Sequence, residues 1–112
     1  MKDMVIVEEF KGGVLILKIS GEITSSDITD FENILDGAVK KAGNIIIDIS
    51  LLAYICSAAI ASFLNFSNKV RHAGKKVVIL GANEKNKRHF AILGLPQFLP
   101  FVDNIDDAMK SF

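Results

Sequence analysis

A cysteine and a serine stand next to each other at the end of a short apolar segment. The stretch from Asn44 to Ile60 reads NIIIDISLLAYICSAAI, and the alanines that follow Ser57 favour a helix. A serine hydroxyl at the start of a helix can cap it by accepting a backbone N–H. It can also carry a phosphate, whose negative charge suits the positive end of the helix dipole. The residues leave both roles open for Ser57.

Cys56 also has two interpretations. Most free cysteines are small buried hydrophobes, but a thiol at a helix N-terminus can be activated. His72 and His89 do not form a metal-ligand spacing with each other or with Cys56, so no zinc site is predicted. A nucleophile–base pair of Cys56 or Ser57 with either histidine is conceivable, but the spacing does not support it. The sequence therefore predicts a protein that is not an enzyme, with no catalytic residue, metal or cofactor.

A local basic cluster lies in a later segment and consists of Lys85, Lys87, Arg88 and His89. One interpretation is the solvated outer face of a short helix, with Phe90 and Leu93 pointing inward. Another is a docking patch for an acidic partner. Direct nucleic-acid binding is not predicted, because no aromatic residues interleave with the basic ones.

The composition is that of one ordinary domain, covering residues 1–112. Half of the residues are hydrophobic, which is enough for a core without disulfides or metal. Thirteen basic residues balance thirteen acidic ones, so no overall field attracts nucleic acid or anionic lipid. A single cysteine cannot form an internal disulfide, which fits a reducing compartment. Neither a signal peptide nor a membrane-spanning run is recognisable, so we expect a cytoplasmic protein without membrane insertion.

Apolar periodicity predicts an opening hairpin and then a helix. Met4 to Phe10 and Val14 to Ile19 are β-prone runs around a Gly-containing turn, and the second strand is predicted to end at Gly21. The segment Thr24-Ser25-Ser26-Asp27 offers several helix N-caps. The apolar residues after it recur at spacings of three and four, which predicts an amphipathic helix.

The later elements alternate between strand and helix. They are predicted as a buried strand from Ile45 to Ile49, a helix from Ser57 or a neighbour to about Ala73, a strand from Lys76 to Leu80, a helix capped by Asn83, a strand from Phe98 to Val102, and a helix capped by Asn104. This order predicts an α/β domain with a mixed, mostly parallel sheet, an opening β-hairpin and packed helices.

Several short pieces of sequence, taken in order, carry a family resemblance. They are ISGEI (19–23), IIIDIS (45–50), YICSAAI (54–60), AGKKVVIL (73–80), and a tail with LGLPQFLPF (93–101) and IDDA (105–108). Together they resemble the STAS domain, the fold of bacterial anti-sigma factor antagonists, over nearly the full length.

The resemblance implies a phosphorylation switch. In the family's switch members the loop before the second main helix reads Asp-Ser-Ser-Gly or Asp-Ser-Thr-Gly. Its first serine is phosphorylated by an anti-sigma factor that is itself a kinase, which breaks their binding, and a phosphatase resets the switch. The acceptor falls on Ser57 here. Cys56, Ala58 and Ala59 stand in place of the family's Asp, second hydroxyl residue and Gly, and Thr24 replaces another frequent Asp.

The leading hypothesis is therefore a non-enzymatic anti-sigma factor antagonist, controlled by phosphorylation of Ser57. The partners implied are a kinase-type anti-sigma factor and a phosphatase. Two alternatives stay open. One is a non-switching STAS scaffold subunit of a stress-signalling or lipid-transport complex, and the other is a small-molecule or redox-sensing domain that uses Cys56. The partner-binding residues expected under the leading hypothesis are Thr24, Ser25, Ser26, Asp27, Cys56, Ser57 and Ala58.

Overall fold

The structure is a computed structural model that describes residues 3–41, 43–94 and 99–112. Its strands are β1 (Val5–Lys11), β2 (Val14–Ile23), β3 (Ile45–Ile55), β4 (Val77–Leu80) and β5 (Phe101–Val102). Its helices are α1 (Ile28–Lys41), α2 (Ser57–His72), α3 (Glu84–Ile92) and α4 (Ile105–Lys110), and a 3-10 turn (Ser25–Asp27) precedes α1. The predicted alternation of elements is confirmed, although Leu95 and Phe98 of the predicted closing segment lie outside the described residues.

The five strands form one mixed sheet in the order β1-β2-β3-β4-β5. The first two strands pair antiparallel, as the Gly12-Gly13 turn predicts, and each later strand pairs parallel with its predecessor. The predicted α/β class with an opening hairpin is thus confirmed. Because parallel strands need a crossover, α1, α2 and α3 each connect two neighbouring strands of the sheet.

Both faces of the central strands are covered. On one face, the alternate side chains of β2 and β3 pack with the apolar sides of α1, α2 and α3 in the main core. On the other face, a smaller cluster packs against α4 around Ala108. Burial on both faces explains why Ile45, Ile46 and Ile47 form a continuous apolar run.

A row of aromatic rings joins the helices to the far edge of the sheet. Phe63 of α2 lies edge-on to Phe31 of α1, with ring centroids 5.1 Å apart, and to Phe90 of α3 at 5.6 Å. Phe90 also contacts Phe101 of β5 at 5.2 Å. The inward position predicted for Phe90 is confirmed. The one predicted for Leu93 is wrong, because this residue lies past the end of α3 and is 48% exposed.

Two strands are longer than predicted. Gly21 does not end β2, which continues to Ile23, and β3 runs past Ile49 to Ile55. The pairing of these strands shifts register twice, between Lys18 and Ser20 and again after Gly21, whose φ is +82°. Such bulges break the simple alternation on which the prediction depended. The extra residues carry the ends of both strands to the site described next.

Candidate functional site

The carboxyl ends of β2 and β3 place the two predicted partner-binding segments side by side. Ile23 and Ile55 are paired at the last position of the two strands. One residue further on, the backbone N–H of Cys56 donates a hydrogen bond to the Ile23 carbonyl at 3.0 Å. The 3-10 turn therefore starts next to the first turn of α2, and the structure brings the two segments together.

The turn after β2 is held by the carboxylate of Asp27. One oxygen, Oδ2, accepts from the backbone N–H of Thr24 at 2.8 Å and from its hydroxyl at 3.0 Å. The hydroxyls of Thr24 and Ser26 are also 2.9 Å apart. Ser25 and Ser26 are exposed on this turn, whereas Thr24 and Asp27 are half-buried. The turn thus has a fixed shape and presents hydroxyl groups to solvent.

The N-cap of α2 is Cys56, and Ser57 is the first residue of the helix. Cys56 has an extended backbone (φ −80°, ψ 162°), and its carbonyl accepts from the N–H groups of Ala59 and Ile60. The interpretation of Ser57 as the helix cap is therefore wrong. Cys56 is half-buried, and its side chain makes no capping hydrogen bond. Ser57 and Ala58 are exposed, so the serine hydroxyl faces solvent at the positive end of the helix.

Ser57 has a neighbour for which the sequence spacing gave no support. Its Oγ lies 3.4 Å from Nε2 of His89, a residue of α3 that is 32 positions further along the chain. The sequence offered this pair only as conceivable, without support from spacing. The order of the elements could have indicated this contact. Strand β4 pairs with β3, so α3, which follows β4, starts close to the end of β3, and β3 leads into α2.

Two asparagines fix α3 against β3. Asn83 caps the helix by accepting from the backbone N–H of Asn86 at 2.7 Å, as predicted for a cap at this position. The side chain of Asn86 is buried and donates to the Leu52 carbonyl at 3.1 Å. These bonds position the next turn of α3, where half-buried His89 faces Ser57.

The lysines and the arginine of the basic cluster have different environments: one forms ion pairs, and the others are exposed. Lys87 lies 3.3 Å from Asp103 and 3.8 Å from Glu84, so it belongs to the contact between α3 and the segment before α4. Lys85 and Arg88 are exposed. The ammonium of Lys85 lies 5.4 Å above the ring of Tyr54, near the end of β3.

Within the described residues, no group of three or more His, Cys, Asp or Glu side chains could hold a metal ion. The arrangement that the structure does show is one of exposed hydroxyls, of which that of Ser57 lies beside the imidazole of His89. Such a surface can bind a protein and accept a charged modification.

The sequence matches the family model of the STAS domain over residues 6–108. The chain belongs to the STAS domain family. A search of the curated proteins by sequence gave no match.

Solved structures share this STAS fold at low sequence identity. An anti-sigma factor antagonist from Mycobacterium paratuberculosis has a TM-score of 0.88 and 19% identity over 97% of this chain and 93% of its own. A putative anti-sigma factor antagonist from Thermotoga maritima has a TM-score of 0.87 and 20% identity, with 95% and 92% covered. The Bacillus cell fate determinant SpoIIAA in its phosphorylated form has a TM-score of 0.73 and 13% identity, with 96% and 98% covered.

No helix of this STAS domain, within the described residues, has the length and apolar character needed to cross a membrane.

The uncapped start of α2 gives a stability prediction for this STAS domain. Replacing Cys56 by Ser supplies an oxygen that can accept an N–H of the first helical turn, so we expect Cys56→Ser to be about 1 kcal/mol more stable to unfolding than Cys56→Ala. Urea unfolding at equilibrium measures the change. Cys56→Ala is the matched control, because it removes the sulfur and adds no acceptor. Equal stability of the two variants would show that the first turn gains nothing from a cap.

Proposed function

We propose that this STAS domain is an anti-sigma factor antagonist, a non-enzymatic switch that binds a kinase-type anti-sigma factor and is controlled by phosphorylation of Ser57. The observation that carries the proposal is the position of Ser57. Its hydroxyl is exposed at the first residue of α2, it is not used as a cap, and it lies next to the hydroxyl-rich turn after β2.

The proposed binding surface joins that turn to the start of α2. It comprises Thr24, Ser25, Ser26, Asp27, Cys56, Ser57 and Ala58. The Asp27 hydrogen bonds give the turn a defined shape before a partner arrives, which reduces the entropy lost on binding. The kinase must reach the Ser57 hydroxyl from the same side, so the surface that binds is also the surface that is modified.

Phosphorylation would act on this surface through charge and bulk. A phosphoserine carries about −1.5 to −2 charges at neutral pH. At the first residue of α2 the helix dipole stabilises this charge, so the fold is expected to survive. Within a closed interface, the same group must lose water and displace the partner's contacts, which costs affinity. A phosphatase that removes the group would restore binding.

Variants of Ser57 test the proposal in a binding assay with the kinase-type anti-sigma factor that wild-type protein binds. We expect Ser57→Asp to weaken binding by about tenfold or more, equivalent to about 1.4 kcal/mol. Ser57→Ala is expected to keep the affinity and to resist phosphorylation. Asn65→Asp is the matched control, since Asn65 is exposed on the same helix and lies outside the proposed surface. Equal affinity of the Asp and Ala variants at position 57, or no kinase-type partner at all, would refute the switch.

A second candidate function follows from the loop residues. Cys56, Ala58 and Ala59 replace an acidic, a hydroxyl and a glycine residue of the switch pattern, which favours a non-switching scaffold subunit. Mass spectrometry of protein from its native cells, with phosphatases blocked, separates the two. A phosphate on Ser57 supports the switch. An unmodified Ser57 under several growth and stress conditions supports the scaffold.

A further inference from the structure

The pair formed by Ser57 and His89 joins two helices at the proposed switch. The 3.4 Å between Ser57 Oγ and His89 Nε2 is within reach of a hydrogen bond, in which either atom can be the donor. His89 is half-buried and stands on a helix that is tied to β3 through Asn86. The helix that carries the imidazole is therefore fixed to the sheet, and this places the imidazole beside the hydroxyl.

A phosphate on Ser57 would change what the imidazole can do. Phosphate oxygens are acceptors only, whereas the imidazole can present Nε2–H as a donor and carries a positive charge when both nitrogens are protonated. Hydrogen bonds between charged partners are about twice as strong as those between neutral ones. The contact seen with the hydroxyl would become a stronger contact with the phosphate.

Other charged groups lie on the elements around the pair. Lys85 is one helical turn before His89, on the same side of α3, and its ammonium lies above Tyr54 of β3. The acidic residue of the turn after β2 is Asp27, whose carboxylate is engaged by Thr24. The first turn of α3 also carries an exposed acidic residue, Glu84. A phosphate at Ser57 thus meets the imidazole of His89 on α3 and the positive end of the α2 dipole.

We propose that His89 is the intramolecular partner of the phosphate on Ser57 and holds it against α3. This inference rests on Ser57 being the site of phosphorylation. His89 is a positioning residue here: it orders the phosphate after transfer and takes no part in the transfer itself. In the phosphorylated state the start of α2 and the face of α3 would form one closed surface, and a phosphatase would have to displace the imidazole to reach the phosphorus.

The test uses protein with phosphoserine incorporated at position 57 during translation, so that no kinase is needed. The phosphorus NMR signal is followed as a function of pH in the otherwise wild-type protein and in His89→Gln. A donor and a cation beside the phosphate favour its dianion, so the wild-type midpoint is expected to be lower than that of His89→Gln by about 0.5 pH unit. A phosphatase is expected to release the phosphate several-fold faster from His89→Gln.

Two control variants separate the effect of the His89 imidazole on the phosphate midpoint from the effect of other positive charges. His72→Gln removes the other histidine, which is exposed in the last turn of α2, about 22 Å along the helix from Ser57. It should leave the midpoint unchanged. Lys85→Gln removes the ammonium one helical turn before His89 and should shift the midpoint less than His89→Gln does. Identical midpoints for wild type and His89→Gln, or a full shift from Lys85→Gln alone, would overturn the inference.

A measurement without substitution keeps the inference testable if His89→Gln fails to fold. The nitrogen-15 shift of His89 Nε2 is compared between phosphorylated and unphosphorylated protein, with His72 as the internal reference. We expect a change at His89 only, and an unchanged His89 signal would contradict the proposal. These readouts involve no anti-sigma factor. A phosphorylated protein that still binds the kinase would refute the proposed function and leave the NMR result for His89 standing.

Discussion

Phe63→Ala is expected to lower the free energy of unfolding by about 3 to 5 kcal/mol. The Phe63 side chain is fully buried in α2, and its ring lies between those of Phe31 and Phe90. Truncation removes the apolar contacts of the ring and both edge-to-face aromatic contacts, and it leaves a cavity where three helices meet. Equilibrium unfolding in urea measures the loss.

The control for this substitution is Ile92→Ala in the last turn of α3. Ile92 is 80% exposed, so its truncation should change the stability by no more than about 0.5 kcal/mol. A loss of less than about 1.5 kcal/mol for Phe63→Ala would mean that the surrounding helices collapse into the space. The aromatic row would then not be the main connection between α1, α2 and α3.

Gly81→Ala is expected to destabilise the protein by about 2 to 4 kcal/mol, from backbone strain and a steric clash together. Gly81 follows β4 with a φ of +78°, a conformation that residues with a Cβ rarely adopt. A Cβ added there would lie 2.7 Å from the Cβ of Ser50 on β3 and 3.1 Å from its Cα. Since one of these atoms belongs to the backbone, one strand must move away from the other.

Gly74→Ala separates the two causes. Gly74 has nearly the same φ, +74°, but a Cβ there would meet nothing within 4 Å, so only the backbone strain of about 1 kcal/mol remains. Gly81→Ala should therefore cost more than Gly74→Ala. In a double-mutant cycle, Ser50→Gly should recover part of the difference. Equal losses for the two glycine substitutions, in urea or thermal unfolding, would show that β3 and β4 have room for the methyl group.

The sequence predicted the elements well where the apolar residues follow a simple pattern, either a regular spacing or a continuous run. The helix stripe of α1 and the apolar run at Ile45 are of this kind, and the structure has both. The ends of β2 and β3 were predicted too short, because two register shifts remove the alternation after Lys18. Bulges of this kind leave no periodic trace in a single sequence.

The segments that form the site could be predicted from the sequence, but the helix cap and the side-chain contacts within the site could not. The family resemblance indicated the turn after β2 and the start of α2, which the structure places together. Ser57 was interpreted as the helix cap, but the cap is one residue earlier. The backbone of Cys56 is extended, so the helix begins after it. The Ser57–His89 contact depends on how Asn86 fastens α3 to the Leu52 carbonyl, a tertiary bond with no pattern in the sequence.

The strand order β1 to β5 has a consequence for how the molecule is made. Since spatial order repeats chain order, each strand leaving the ribosome can pair with the strand completed just before it, and none has to be inserted between older neighbours. Assembly can therefore proceed vectorially from the N-terminal hairpin. A nascent chain that stops after α2 carries the open edge of β3, which is mostly apolar in its first half, until β4 arrives. Because an unpaired apolar strand edge can pair with another chain, wrong pairing is a risk during that interval.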